Sequence, residues 1–189
     1  MDDLSLARLL LAAKERRAPD DGDYYDHGPL RVVRSGPVLA IVGSHNLWSW
    51  LQNFDMQPVA LAGYGKVHRG WLDAASTLKY WGRADDAKII VGHSYGAAVA
   101  LILGVLIYPE QPDIQVVQFS PPSCGDKEFC SNIKFPVKRI WVHPDIITCL
   151  PFFYTHVGEP TPLKGTLNLY RNHLITTIID TLNERADKE

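Results

Sequence analysis

The feature that most constrains the fold of this chain is the stretch from Ala87 to Ala100, which reads AKIIVGHSYGAAVA. Its β-branched start predicts a buried strand and its apolar end predicts a buried helix, with Gly-His-Ser-Tyr-Gly between them. Glycines at both ends of such a G-x-S-x-G motif allow a sharp strand-to-helix turn that raises the serine hydroxyl above the sheet edge. The motif alone also fits a structural glycine-rich turn. In its strand-turn-helix context it predicts that Ser94 is a nucleophile.

The remaining predicted elements alternate along the chain. Short apolar runs predict strands at residues 30–33, 38–42, 88–91, 114–119 and 137–142, and helical patterns occupy residues 3–17, 71–81, 95–108 and 174–184. A Ser-Gly-Pro turn joins the first two strands into a hairpin. This alternation predicts an α/β fold with a mostly parallel central sheet and helices on both faces. A length of 189 residues, with 46% of them hydrophobic, suits a single domain over residues 1–189.

Charge and composition exclude several classes of partner. The net charge of −2, with lysines and arginines scattered along the chain, provides no basic face for nucleic acid. The longest apolar run, residues 97–108, falls short of the roughly 20 residues that a membrane-spanning helix needs. The acidic start lacks the positive region of a secretory signal, and the three cysteines have no metal-binding spacing. We therefore expect a reduced, cytoplasmic setting. A secreted protein without its leader, with a disulfide between Cys124 and Cys130, stays open as the alternative.

A serine hydroxyl needs a base and an acid to act as a nucleophile near neutral pH. With a G-x-S-x-G turn, the three residues follow in the order Ser, Asp, His along the chain. Asp145 comes just after the predicted strand 137–142 and is the predicted acid, while Asp126 competes because it also follows a strand. His173, at a loop-to-helix junction near the C-terminus, is the predicted base. The alternative base is His156, which otherwise reads as a loop histidine that hydrogen-bonds locally.

Six segments, taken in order, resemble the class 3 (fungal-type) lipase family. They are residues 41–54 (IVGS followed by WLQNF), 67–71 (VHRGW), 92–96 (GHSYG), 119–126 (FSPPSCGD), 145–151 (DIITCLP) and 154–159 (YTHVGE). The corresponding family patterns are F-R-G-T with D-W-x-x-N-L, V-H-x-G-F, G-H-S-L-G, F-G-x-P-R-V-G-D, D-x-V-x-x-L-P and Y-x-H-V-G-E. The resemblance covers residues 32–173 and implies an α/β-hydrolase fold. It also implies that Asp145 is the catalytic acid, that Asp126 lies in a structural loop, and that the base comes later in the chain than His156.

The resemblance further implies an oxyanion hole. In the family, the hole is formed by the backbone and hydroxyl of the threonine in F-R-G-T and by the backbone N–H after the nucleophile. By position these groups belong to Ser44 and Tyr95. The chain departs from the family patterns at four positions, where Val42, Ser44, Ser49 and Tyr95 replace Arg, Thr, Asp and Leu. Ser44 retains a hydroxyl donor for the hole.

The family's mobile lid corresponds to residues 46–54. One apolar helical face is predicted there, formed by Leu47, Trp50, Leu51 and Phe54. Only about twenty residues separate Ser44 from the Val67-His68 motif, so hinge room is limited and the prediction is a short, mostly open lid. The alternative is a fixed helix packed on the core.

The triad and the resemblance together predict a serine hydrolase that cleaves carboxylic esters, acylglycerols or other lipid esters, through an acyl-enzyme. This reaction needs no metal or organic cofactor. Aromatic residues near the site predict an apolar substrate pocket that includes Trp48, Trp50 and Phe152, although each alone reads as a core residue. The expected partners are a small-molecule or lipid ester and, transiently, a lipid surface. The alternatives are a thioester, phospholipid or peptide substrate and a catalytically idle lipase-like scaffold.

Overall fold

Strands and helices alternate through most of the structure, a computed structural model that describes residues 1–27, 30–43 and 57–187. The strands are β1 Gly22–His27, β2 Leu30–Ser35, β3 Val38–Gly43, β4 Pro58–Leu61, β5 Gly65–His68, β6 Ile89–His93, β7 Gln115–Phe119, β8 Val137–His143 and β9 Glu159–Lys164. The helices are α1 Asp3–Lys14, α2 Arg69–Tyr80, α3 Tyr95–Ile107, α4 Lys127–Ser131, α5 Leu169–Asn172 and α6 Ile175–Ala186. A 3₁₀ turn spans Ile146–Cys149.

The central sheet arranges its described strands in the order β1-β2-β3-β6-β7-β8-β9. Strand β2 is antiparallel to both of its neighbours, β1 and β3, whereas β3, β6, β7, β8 and β9 run parallel to one another. The carboxyl ends of these five parallel strands therefore lie along one edge of the sheet, the carboxyl edge. The segments that follow β6, β8 and β9 contain Ser94, Asp145 and His173, respectively. The topology thus brings three distant parts of the sequence to one edge.

Buried side chains form one core on each face of the sheet. Helices α2 and α3 cover the first face with a core that includes Trp71, Leu78 and Ile102. Helices α1 and α6 cover the second face, where Leu10 and Ile178 are buried. The α/β-hydrolase prediction of a mostly parallel sheet with helices on both faces is confirmed.

The most apolar part of the sequence forms helix α3 in the first core. Every residue from Gly96 to Val105 is buried, because α3 packs between the sheet and α2. Its length of 13 residues agrees with a core helix. Over the described ranges, no helix combines the length and apolar character required to cross a membrane.

The sequence patterns missed both edge strands and misplaced one helix end. Strand β1 lies in the acidic segment between the predicted helix 3–17 and the predicted strand 30–33, where no strand was predicted, and β9 contains Pro160 and Pro162. An edge strand needs hydrogen bonds on one side only, so it tolerates charged residues and proline that argue against a central strand. The predicted helix 3–17 ends at Lys14, because the chain enters the left-handed region at Arg16 with φ of 59°.

Candidate active site

Ser94 lies on a sharp turn between β6 and α3. Its φ of 56° and ψ of −124° are rare for a residue with a side chain, and its N–H donates to the Phe119 carbonyl at 3.0 Å. A Cβ atom on Gly92 would lie 2.2 Å from the Gly96 carbonyl oxygen, and one on Gly96 would lie 2.2 Å from the Ile41 carbonyl oxygen. Both glycines of the motif are therefore required by close main-chain approach.

Asp145 begins the segment after β8 and is buried, with only 3% of its surface exposed. Its Oδ1 atom accepts from the Ile147 N–H at 3.0 Å, which caps the following 3₁₀ turn. The Thr148 hydroxyl donates to the Asp145 main-chain carbonyl at 2.7 Å. These contacts fix the carboxylate, whose Oδ2 atom faces His173.

His173 joins the other two side chains in one hydrogen-bonded line. Its Nδ1 atom lies 2.8 Å from Asp145 Oδ2, and its Nε2 atom lies 2.8 Å from Ser94 Oγ. A carboxylate only accepts, so Nδ1 carries the proton and Nε2 is left to accept from the serine hydroxyl. The imidazole is almost entirely buried. The arrangement is that of a nucleophile, a base and an acid that orients the base.

Comparison with known proteins places the chain in a family. The lipase (class 3) family matches residues 38–155, which is more than half of the chain. The chain belongs to the class 3 lipase family. His173 lies beyond the matched residues, so its place in the site depends on the geometry described above.

Relatives and solved structures agree with this membership. Phospholipase A1 PLIP2, chloroplastic, of Arabidopsis thaliana is 27% identical over 71% of this chain, which spans only 22% of that relative's length. The Rhizomucor miehei lipase propeptide complex superposes with a TM-score of 0.65 at 20% identity, covering 86% of this chain and 68% of that one. A triacylglycerol lipase from Penicillium expansum gives a TM-score of 0.61 at 20% identity, covering 87% and 79%. At such identities the structural likeness shows the shared fold.

The two competing residues have other contacts. Asp126 caps helix α4, where its Oδ1 atom accepts from the Phe129 N–H at 2.8 Å. His156 lies 2.6 Å through Nε2 from the Thr148 carbonyl, so Nε2 carries a proton that it donates locally. Burial lowers the pKa of His156, which favours its neutral form. In this member of the class 3 lipase family, the hydrogen bonds of the site therefore join Ser94 to His173 and Asp145, and both competitors have local structural hydrogen bonds.

The three cysteines are free thiols, so the disulfide alternative between Cys124 and Cys130 is wrong for this structure. The Cys124 thiol donates to the Pro122 carbonyl at 3.1 Å, and burial raises its pKa to about 12. Burial also raises the pKa of Cys130 to about 11. Protonated thiols are poor nucleophiles, so neither competes with Ser94. In the described part of the chain, no three His, Cys, Asp or Glu side chains gather where a metal ion could bind.

A cavity of about 210 Å³ lies beside the nucleophile turn. Its walls come from the start of β2, from helix α2 and from Tyr95, and its lining includes Leu30, Asp73, Ala74 and Leu78. The Tyr95 hydroxyl donates to the Gly70 carbonyl at 3.2 Å. Burial, followed by the charge of Asp73, raises the pKa of Tyr95 to about 12, so this donor stays protonated. The side chain after Ser94 is thus fixed against α2 and bounds an apolar space.

Several predicted residues lie outside the described part of the chain. These are Ser44 of the oxyanion hole, Trp48 and Trp50 of the substrate pocket, and the whole lid segment 46–54. Phe152, the third predicted pocket residue, lies on the surface with 84% of its area exposed and its ring edge-on to Phe153. Tyr95 occupies the first position of α3, as its predicted oxyanion role requires.

Two buried residues next to the site escaped the sequence analysis. His93 contacts the carbonyl of His173 through Nε2 at 2.8 Å, and the Asn172 carboxamide bonds to Pro144 and Thr166. Each of them directly precedes a predicted triad residue in the sequence. That adjacency was the only signal available, because His93 contacts a residue 80 positions away and Asn172 joins Pro144, 28 positions away, to the nearby Thr166.

Proposed function

We propose that this chain is a serine hydrolase that cleaves carboxylic esters of lipids, with Ser94 as nucleophile, His173 as general base and Asp145 as the acid that orients the base. The observation that carries the proposal is the unbroken line of two 2.8 Å hydrogen bonds from Ser94 Oγ through the imidazole to Asp145 Oδ2. Membership of the class 3 lipase family supports the same reaction. The intact triad argues against the idle-scaffold alternative.

In the acylation step, Ser94 Oγ attacks the ester carbonyl carbon while His173 Nε2 takes the hydroxyl proton. The imidazolium that forms is stabilised by the Asp145 carboxylate through the Nδ1–H. The tetrahedral intermediate then expels the alcohol, which receives the proton from Nε2. Ser94 is left as an acyl ester.

Deacylation repeats these steps with water as the nucleophile. His173 takes a proton from water, the hydroxide attacks the acyl carbon, and the returning proton restores the Ser94 hydroxyl as the acid leaves. We assign the negative oxygen of both intermediates to the Tyr95 N–H and, by resemblance to the family, to Ser44. The start of α3 favours negative charge there, because the helix dipole points its positive end at the turn.

The cavity beside Tyr95 is our candidate for the acyl pocket. Its volume of about 210 Å³ lies below the roughly 300–1,000 Å³ of sites that enclose drug-sized ligands, which favours short acyl chains. On a panel of nitrophenyl esters of graded length, we expect Ala74→Leu to shift the preference toward shorter acyl chains, because the larger side chain fills the cavity. An unchanged chain-length profile would place the acyl pocket elsewhere.

The rim of the proposed site is apolar, which supports transient binding to a lipid surface. The two segments that carry the acid and the base expose large apolar side chains at Ile146, Phe152, Phe153, Leu167, Leu169 and Tyr170. Exposed apolar groups concentrated beside one site favour contact with an apolar partner. A lipid aggregate that supplies the substrate meets this description.

Binding to a lipid surface can be tested with one pair of variants. Leu167 is 96% exposed on the rim, and Tyr80 is 86% exposed at the far end of α2, near the C-terminal end of α3 where Lys79 Nζ contacts the Leu106 carbonyl. We expect Leu167→Ser to lower activity on emulsified esters several-fold with no change on soluble esters. Tyr80→Ser, the matched control, should leave both unchanged. Equal effects of the two variants on emulsions would contradict a directed interface.

A phospholipid is a second candidate substrate. The relative named phospholipase A1 PLIP2 is 27% identical to this chain, although the chain covers only 22% of it. Release of the sn-1 fatty acid from phosphatidylcholine vesicles, compared with release from a triacylglycerol emulsion, separates the two substrate classes.

The nucleophile itself is tested with a serine-reactive phosphonate. We expect the probe to label the wild-type chain on Ser94, and Ser94→Ala to abolish both labelling and ester turnover apart from a residual acceleration of about 10³–10⁴ over water. Ser120→Ala is the matched control. Ser120 also follows a parallel strand at positive φ, and its buried hydroxyl has no hydrogen-bond partner among the described residues. Labelling of the Ser94→Ala variant, or no labelling of the wild type, would refute the proposal.

A further inference from the structure

His93 is a buried histidine whose imidazole contacts the main chain of His173. Its Nε2 atom lies 2.8 Å from the His173 carbonyl oxygen, and the two ring centroids are 5.2 Å apart. A carbonyl only accepts, so His93 Nε2 carries a proton and donates it. Burial, with the neighbouring His173 as the next cause, lowers the pKa of His93 well below its usual value. His93 is therefore a neutral donor beside the base.

Asn172, the residue directly before the base, is held by hydrogen bonds of its own side chain. It is fully buried, and its amide nitrogen donates to the carbonyls of Pro144 and Thr166, each at 2.7 Å. Its Oδ1 atom accepts from the Thr166 N–H at 3.1 Å and from the Thr166 hydroxyl at 3.2 Å. All four hydrogen-bonding positions of the carboxamide are used. Because Pro144 directly precedes Asp145, Asn172 connects the segment that carries the base, residues 165–173 (the base segment), to the segment that carries the acid.

Within the part of the chain that the structure describes, few other side chains anchor the base segment. Helix α5 has only four residues, and Leu169 and Tyr170 within it are exposed. Short helices with exposed apolar side chains gain little stability from packing. On this side, the position of the His173 main chain therefore depends on side-chain hydrogen bonds, whereas beyond His173 the chain is anchored by Ile175, which is buried in the second core.

We propose that His93 and Asn172 are positioning residues of the triad, which fix the main chain of residues 172–173 so that His173 Nε2 faces Ser94. The inference rests on the proposed function, because it concerns the same base. Neither side chain contacts Ser94 Oγ among the described contacts. Their loss should therefore lower the rate of the chemical step and leave substrate binding unchanged.

The His93 contact is tested by two substitutions that differ in the donor. His93→Phe keeps an aromatic ring without an N–H, and His93→Gln places an amide N–H near the position of Nε2. With a soluble short-chain ester, we expect His93→Phe to lower kcat about 10²-fold with KM within two-fold, since a misplacement near 1 Å has this effect. His93→Gln should recover most of kcat. A merely structural role would not produce rescue by the donor.

The Asn172 contact is tested with a matched pair in the same segment. Asn172→Asp keeps the size but turns an oxygen toward the carbonyls of Pro144 and Thr166, and we expect kcat and the rate of phosphonate labelling to fall together by about 10²-fold. Asn168→Asp makes the same chemical change at the exposed cap of α5, where the Asn168 side chain accepts from the Arg171 N–H at 2.9 Å. Aspartate caps a helix as well as asparagine, so this control should keep wild-type kcat.

The outcomes separate this inference from the proposed function. Wild-type chain that is neither labelled on Ser94 nor active refutes the proposed function. If the wild type is labelled and active, a kcat within two-fold of wild type for both His93→Phe and Asn172→Asp overturns the positioning role. Should His93→Phe fail to fold, His93→Asn takes its place, because its shorter amide does not reach the carbonyl. A His93→Asn variant as active as His93→Gln then overturns the role of His93.

Discussion

The nucleophile turn and the base segment of this chain are held by different kinds of contact. Ser94 sits between a buried strand and a helix whose residues 96–105 are all buried, and main-chain atoms approach so closely that only glycine fits at positions 92 and 96. His173 follows a four-residue helix with exposed side chains. Its carbonyl accepts a hydrogen bond from His93, and the preceding residue, Asn172, donates to the Pro144 carbonyl. Steric fit within the core fixes the first region. Donor and acceptor placement fixes the second.

This difference predicts which substitutions each region tolerates. Added atoms in the nucleophile turn would meet backbone that cannot move away, so they should lower stability. In the base segment, the size of a side chain should matter less than its hydrogen-bond donors and acceptors. Substitutions there should therefore lower activity more than stability.

The largest expected effect is a loss of kcat when the hydrogen bond that orients the base is changed. Asp145→Asn should lower kcat about 10⁴-fold while the chain stays folded, because an amide at this position favours the tautomer whose proton lies on Nε2. That imidazole cannot accept from Ser94. Turnover of a soluble nitrophenyl ester measures the loss, and circular dichroism checks the fold.

Asp126→Asn is the control for the acid. Asparagine should still cap α4 through Phe129, so kcat should stay within two-fold of wild type. His156→Ala should likewise keep activity or lose it only through stability, because His156 contacts Thr148 and Ser123. An inactive, folded Asp126→Asn beside an active Asp145→Asn would reverse the assignment of the acid.

The second largest expected effect is a loss of stability when an atom is added in the nucleophile turn. Gly96→Ala would place Cβ 2.2 Å from the Ile41 carbonyl oxygen, and we expect the free energy of unfolding to fall by about 3 kcal/mol or more. Urea unfolding measures this change. Gly70→Ala is the control, because its Cβ would meet only the His68 ring at 3.2 Å, and it should change stability by less than about 1 kcal/mol. Similar losses of unfolding free energy for the two variants would contradict the steric explanation.

The contrast also explains what the sequence could predict. The nucleophile turn is a local structure, so one stretch of 14 residues carried its strand, its glycines and Ser94 together. Asp145 and His173 were found because chain order and the family resemblance constrain them. The His93 contact with His173 spans 80 residues and the Asn172 contact with Pro144 spans 28, and no local pattern encodes such distances. Edge strands β1 and β9 escaped for a related reason, because pairing on one side imposes only a weak pattern on residues such as Pro160.

The smallest expected effect concerns His93, which lies in the nucleophile region but donates to the base segment. Burial lowers its pKa in the folded state well below the value of 6.5 that it takes in the unfolded chain. Between these two values the unfolded chain binds more protons, so stability rises with pH across that window and is lost as pH falls below about 6.5. One proton contributes a slope of at most about 1.4 kcal/mol per pH unit.

The free energy of unfolding of the wild type and of His93→Gln can be measured with urea at several values between about pH 5 and 6.5. Its dependence on pH should be shallower for the variant. His156→Gln is the matched control, because burial lowers the pKa of His156 as well but not as strongly, and its effect on the slope should be the lesser of the two. Equal slopes for the wild type and His93→Gln would show that His93 titrates alike in both states, and that the contact with the base segment does not require a neutral donor.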